Sequence, residues 1–200
     1  TADGGKAVVQ LDDGSQQTFE LVIFSDGYRS LGRRLLFPEV DLQYCGYVLW
    51  HGVLDEKDLD DSDPLEGSMP RLSYKGLAGH IILYFVPGRD GSTARGERWV
   101  NWAAYIPVPA EELPGFLTDS RGRQHTGSLP PGAMRPDEED RLKQLMQAHL
   151  PTYYADIVNA SQDTFAQPIF LVEMPGYHQG RICLIGDAGA VAQPFTGSGV

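Results

Sequence analysis

Apolar and polar positions alternate along residues 6–11, pause over Asp12-Asp13-Gly14-Ser15 and resume over 17–25, the pattern of two strands joined by a turn. The second ends in Leu21-Val22-Ile23-Phe24, an unbroken apolar run of the kind a strand carries when an α/β sheet buries both its faces. Asp26-Gly27 follows, and residues 30–36 suit a short helix closed by Pro38. Further strands are predicted over 47–54, 80–86 and 99–106, with loops rich in Gly, Asp and Pro between them, so their sheet is expected to be mostly antiparallel. Pro136 is placed to open a helix in which Leu142, Leu145, Met146 and Leu150 keep one apolar face. Pro151 opens a shorter one through Tyr154 and Val158, and strands are predicted again over 169–173 and 181–185. On the strand over 99–106, Val100, Trp102 and Ala104 share one face, while Trp99, Asn101, Ala103 and Tyr105 share the other. On 47–54, Trp50 opposes His51 in the same way. One face must pack on helices as core, leaving the other set to line a pocket.

At 200 residues with 42% hydrophobic and 10% aromatic content, the chain suits one domain, or one domain with part of a second. A formal charge of −11 repels phosphate backbones, and Arg33-Arg34 is the only basic pair of note, so nucleic acid is excluded as a partner. Cys45 and Cys183 match no zinc spacing, and no metal site is expected; two free thiols in a reducing cytosol fit better than one long-range disulfide. No run reaches membrane-spanning length and the polar start is not a signal peptide, so a cytoplasmic protein without membrane contact is expected. The chain opens inside a strand-turn-strand pattern and stops where a helix begins, which reads as an internal piece of a longer protein. In the acidic stretch 55–63, Asp58, Asp60 and Ser62 are spaced like a calcium loop. Asp63 stands where Gly is required and Met69 where the bidentate Glu belongs, so a solvated connection is expected.

Two segments carry candidate chemistry. Residues 181–187 read as a buried strand ending in Gly186-Asp187, after which a Gly/Ala-rich stretch runs through Pro194 to Gly197-Ser198-Gly199 at a helix start. This is the layout of a cofactor crevice at the carboxyl end of a sheet. Gly186 would let backbone approach a ligand, and Asp187 would accept hydrogen bonds from ribose or ribityl hydroxyls. The N–H groups of Gly197, Ser198 and Gly199 would point at partial negative charge. The same residues fit equally a strand, an N-capping Asp and a glycine turn with no ligand. The second segment runs from Asp26 to Arg33, also directly after a strand, and on its residues alone it reads as a turn capping a helix. There is no Walker loop and no G-x-S-x-G around Ser198, and the histidines are scattered.

Taken in order, the two segments resemble the para-hydroxybenzoate hydroxylase class of flavin monooxygenases. Asp26-Gly27-x-x-Ser30-x-x-Arg33 is similar to that family's DG fingerprint, and Gly186-Asp187 with Pro194 and Gly197-x-Gly199 to its GD fingerprint. Within the family, residues 46–53 and the turn Val86-Pro87-Gly88-Arg89 resemble the 2,6-dihydroxypyridine 3-hydroxylase-like branch, although Phe195 stands where that branch often has His. The resemblance implies an α/β (α+β) fold: a mostly antiparallel substrate-domain sheet with helices over 39–175, and part of a Rossmann-like FAD-binding domain over 1–38 and 176–200. It implies FAD as cofactor, held through Asp26, Gly27, Arg33, Gly186, Asp187, Pro194, Gly197, Ser198 and Gly199, with NAD(P)H as co-substrate. The chemistry implied is hydroxylation of a small aromatic or N-heteroaromatic substrate with O2 through a flavin hydroperoxide. His51 and Asn101 are expected to face the substrate, because a polar ring among apolar neighbours needs a partner, with Phe195 as an apolar wall near the flavin. A homodimer is compatible with this reading. Dehydrogenation or halogenation on the same scaffold, or a non-catalytic substrate-binding or dimerising module, stand as alternatives. No G-x-G-x-x-G is present for the ADP half of FAD, so these residues alone are expected to be inactive, to bind FAD weakly and to self-associate.

Overall fold

The computed structural model describes residues 2–3 and 5–194. Along the chain run β1 (Ala2–Asp3), β2 (Lys6–Gln10), β3 (Gln16–Phe19), β4 (Val22–Phe24) and α1 (Leu31–Leu36). Then come β5 (Gln43–Asp55), β6 (Arg71–Ser73), β7 (His80–Val86), β8 (Trp99–Pro107), α2 (Leu113–Phe116), α3 (Pro136–His149) and α4 (Thr152–Ala160). β9 (Gln162–Leu171), β10 (His178–Gln179) and β11 (Ile182–Leu184) follow, and short 3-10 turns lie at Glu56–Asp58, Asp63–Leu65 and Gly186–Ala188. They fall into two compact units, one of residues up to Cys45 together with those from Phe170 onward, the other of residues Gly46–Ile169.

The Gly46–Ile169 unit is built on a five-stranded sheet of order β6-β7-β8-β5-β9, with the β6–β7, β7–β8 and β8–β5 pairs antiparallel. Register places Trp50 opposite Ala104 and Gly52 opposite Trp102, while Leu83 faces Trp102 from β7. As the alternation requires, Val48, Trp50, Ile81, Leu83, Val100, Trp102, Ala104 and Ile106 form a face with almost no exposure. Leu142 and Met146 of α3, with Ile157 and Val158 of α4, belong to the same core. Trp50 and Trp102 meet edge to face at 4.8 Å. The Trp102 indole N–H donates to Ser161 Oγ at 2.8 Å, and that hydroxyl donates to the Ile157 carbonyl at 2.8 Å, so these two buried side chains are paired, whereas the buried Trp50 indole N–H has no hydrogen-bond partner among the described residues. Gly52 is dictated by packing, since a Cβ there would collide with the Trp102 ring. α3 starts on Pro136 with Asp137, Glu138 and Glu139 in its first turn, where acidic side chains suit the helix dipole.

In the other unit, β1-β2-β3 form a small antiparallel sheet, and β4 pairs in parallel with β11, which β10 flanks. α1 packs tightly on β4, because a Cβ on Gly32 would strike the Phe24 ring. Leu36, Phe37, Leu184 and Ala188 form a small apolar cluster beside Phe24.

Four expectations need correction. The single strand predicted over 17–25 is two, because β3 pairs with β2 and β4 pairs with β11, and one straight strand cannot serve both sheets. The apolar run at its end is not buried on both faces: Leu21 and Ile23 are 54% and 52% exposed. The strand predicted over 169–173 begins at Gln162, where a polar, Pro-containing stretch is drawn into the sheet beside β5, so tertiary pairing overrides local pattern. The acidic stretch is not simply solvated either. Glu56 is buried and its carboxylate receives Arg98 at 2.6 and 2.8 Å and the Gly96 N–H at 2.8 Å, while Leu65 is fully buried. Hydrogen bonding from Arg98 outweighs burial and holds the Glu56 carboxyl down to about 2.

Candidate functional site

In the unit that carries both loops, Val22 aligns with Ile182 and Phe24 with Leu184, and the ladder extends as the Ile185 N–H donates to the Phe24 carbonyl at 3.0 Å. The strands are parallel, so Asp26 and Asp187 emerge from the same end of the pair, where open α/β sheets form ligand crevices.

The first loop is largely occupied with itself. Asp26 Oδ2 accepts the Leu31 N–H at 2.7 Å and the Gly32 N–H at 3.4 Å, while Ser30 Oγ caps α1 by accepting the Arg33 N–H at 2.9 Å. Burial would raise the Asp26 carboxyl, but the Ser30 hydroxyl and these amides hold it below the usual range. Gly27 sits at φ 76 with open space beside its Cα, a turn conformation that favours glycine.

Arg33 joins the loops. It is 3% exposed, and its guanidinium donates to the Tyr28 carbonyl in the first loop and to the Asp187 and Ala188 carbonyls in the second, the latter two at 3.2 and 3.1 Å. Burial lowers its basicity, and the negative charge of Asp26 opposes that. Arg33 was expected among the cofactor-binding residues; the structure places its charge inward on backbone carbonyls.

In the second loop Gly186 adopts φ 56 with nothing near its Cβ position, and its carbonyl accepts the Gly189 and Ala190 N–H groups at 2.9 Å each. Asp187 is exposed, and its carboxylate has no hydrogen-bond partner among the described residues. Exposed Pro194 follows Gln193, whose side-chain amide donates to Cys45 Sγ at 3.7 Å. Phe195, Gly197, Ser198 and Gly199 lie outside the described residues. A free carboxylate beside a side-chain-free backbone fits a polyhydroxylated ligand such as the ribityl part of FAD. Asp26, by contrast, is committed to capping α1.

In the Gly46–Ile169 unit, the face opposite the core carries His51, Val53, Asn101, Tyr84 and Tyr105. Val53 pairs with Asn101 and His51 with Ala103, so His51 and Asn101 are diagonal neighbours on this face, both partly buried, as the alternation predicts. The His51 ring stacks on Phe165 at 4.7 Å and 6°, and burial pushes its pKa down to about 4, leaving it neutral. A groove of about 490 Å³ opens beside this stack, lined among others by Val53, Asp55, Arg89, Trp99, Asp163 and Phe165. Phe165 and Asp163 were not singled out from sequence, because 162–168 carries no strand pattern. Among the described residues no cluster of His, Cys, Asp and Glu could hold a metal, and no helix is long and apolar enough to cross a membrane.

A parallel strand pair with two loops at one end, together with a separate mostly antiparallel sheet, defines a mixed α/β class. The chain belongs to the family described as FAD binding domain-like, whose model matches residues 44–170. It is 27% identical over 199 residues to 2,6-dihydroxypyridine 3-monooxygenase of Paenarthrobacter nicotinovorans, covering 98% of this chain and 49% of that protein. Salicylate hydroxylase of Pseudomonas putida is 26% identical over 213 residues, covering 98% of this chain and 43% of that protein. The solved 2,6-dihydroxypyridine-3-hydroxylase of Arthrobacter nicotinovorans superposes with a TM-score of 0.85 at 24% identity, over all of this chain and 50% of that one, and so shares its fold. The chain thus spans about half the length of these relatives.

Proposed function

We propose that these residues form the middle of an FAD-dependent, NAD(P)H-using monooxygenase that hydroxylates an aromatic or nitrogen-heteroaromatic ring. The observation that carries the reading is the pair of loops at one end of the β4–β11 pair, tied by Arg33, with the Asp187 carboxylate free of hydrogen-bond partners among the described residues. In this enzyme Asp187 accepts hydrogen bonds from the sugar-alcohol chain of FAD, and Gly186 lets the backbone come close to it. Asp26 and Gly27 shape the neighbouring loop, while Pro194 and residues 197–199 continue the same site. Residues 1–38 and 176–200 belong to the FAD-binding part and 39–175 to the substrate-binding part, where His51 and Asn101 lie on the sheet face turned toward the substrate. Bound FAD supplies the redox chemistry: electrons from NAD(P)H reach O2, one oxygen atom enters the ring and the other leaves as water. A neutral His51 supports the Phe165 ring by stacking on it without adding charge to this face.

The test is Asp187→Ala in the full-length protein. Loss of a charge-assisted hydrogen bond of about 1.5–3 kcal/mol lowers FAD affinity roughly 10- to 100-fold in a flavin-fluorescence titration, with melting unchanged. Unaltered FAD affinity would remove Asp187 from the site, and a purified protein without flavin colour or FAD affinity would remove the reading itself.

A further inference from the structure

The groove in the Gly46–Ile169 unit lies at the end of the sheet where β5 finishes and β8 and β9 begin. At about 490 Å³ it falls in the range of small-ligand pockets. Two of its walls are rings held in place: the Trp99 indole N–H donates to the Asp55 carboxylate, which itself lines the groove, and Phe165 is backed by the parallel His51 ring. Val53, 41% exposed, adds an aliphatic surface. Such walls suit a flat ring.

The charges around those walls are unbalanced. Asp55, Asp58 and Asp163 line the groove against one cation, Arg89. Lys57 reaches Asp55 at 3.5 Å but is itself mostly solvated, which weakens its compensation. His51 behind Phe165 is neutral and contributes no positive charge. Asp163 is the one described non-glycine residue in the left-handed region, at φ 50, so its position is set by the turn into β9.

We propose that this groove is the ring-binding site of the monooxygenase and that its carboxylates select rings without an acidic substituent, neutral or cationic, over carboxylated ones. The proposal rests on the function inferred above. A carboxylate entering the groove meets two or three like charges, and at low ionic strength their summed repulsion corresponds to roughly tenfold in affinity.

The test uses the FAD-loaded full-length protein and three matched phenols: 3-hydroxybenzyl alcohol, 3-hydroxybenzylamine and 3-hydroxybenzoate. Dissociation constants come from perturbation of the flavin absorption spectrum at low and high salt. The alcohol and the amine are expected to bind about tenfold more tightly than the benzoate, with the gap shrinking several-fold in high salt and in Asp58→Asn and Asp163→Asn. Both variants alter exposed side chains and should fold normally. Benzoate binding as tightly as the alcohol, or a ratio that neither variant moves, overturns the charge selection alone. Benzoate preferred, with that preference lost in Arg89→Met, makes the groove a carboxylate site instead. A protein that holds FAD but binds none of the three overturns both this inference and the aromatic-hydroxylase reading.

Discussion

In the Gly46–Ile169 unit, Trp50, Ile81, Leu83, Val100 and Trp102 are fully sealed in one continuous core, whereas the apolar cluster of the other unit comprises Leu36, Phe37, Leu184 and Ala188 and leaves Leu21, Ile23 and Ile185 about half exposed. The first is held by close apolar packing. The second depends on hydrogen bonds, above all those from the buried Arg33 guanidinium to carbonyls 28, 187 and 188. The difference teaches where each unit can spare polar groups for a ligand. A well-packed sheet frees positions on its other face, such as Asn101, while loops with little core under them need an internal clamp before a residue such as Asp187 can be left unpaired.

The contrast is broken most severely at Trp102. Trp102→Ala removes a fully buried indole from the core and leaves the Ser161 hydroxyl oxygen without its donor, at a cost of about 3–5 kcal/mol. Urea denaturation should show this as a lower midpoint with the slope preserved; a loss below about 1 kcal/mol would mean that the sheet is not held by this core.

Arg33→Met acts on the other unit. It removes the charge and leaves three backbone carbonyls without their donor, a loss of about 1–3 kcal/mol confined to the loops. Amide hydrogen exchange around residues 182–190 should accelerate while amides of β7 and β8 keep their protection. Equal acceleration in both regions would show that the units do not differ in the way described.

The smallest effect concerns pH. Burial depresses His51 to about 4 in the fold, against about 6.5 in an unfolded chain, so between those values the unfolded state binds the extra proton. Stability is therefore full above about pH 6.5 and falls as pH drops toward 4. His51→Phe, which keeps a ring for Phe165 to stack on, should flatten the melting temperature across that window, after allowance for His80, whose pKa burial also lowers. An unchanged slope would mean that His51 titrates normally.

Much of this architecture was readable in the residues. Strict alternation over 99–106 separates Trp102 from Asn101, and the observed faces follow it because a pleated strand sends successive side chains to opposite sides. Pro136 with three acids behind it marks the start of α3 for reasons internal to a helix. Asp26-Gly27 and Gly186-Asp187 mark two turns after strands, since positive φ at the glycines is a local requirement. What the residues could not decide is anything that depends on a partner distant in sequence. That β9 begins at Gln162 is decided by its neighbour β5 rather than by its own polar pattern. That Glu56 is buried is decided by Arg98, and that Arg33 faces inward is decided by carbonyls more than 150 positions away. Local sequence sets backbone preference and side-chain alternation; which buried charge finds which partner is settled only when tertiary packing removes the water that would otherwise serve every one of them equally.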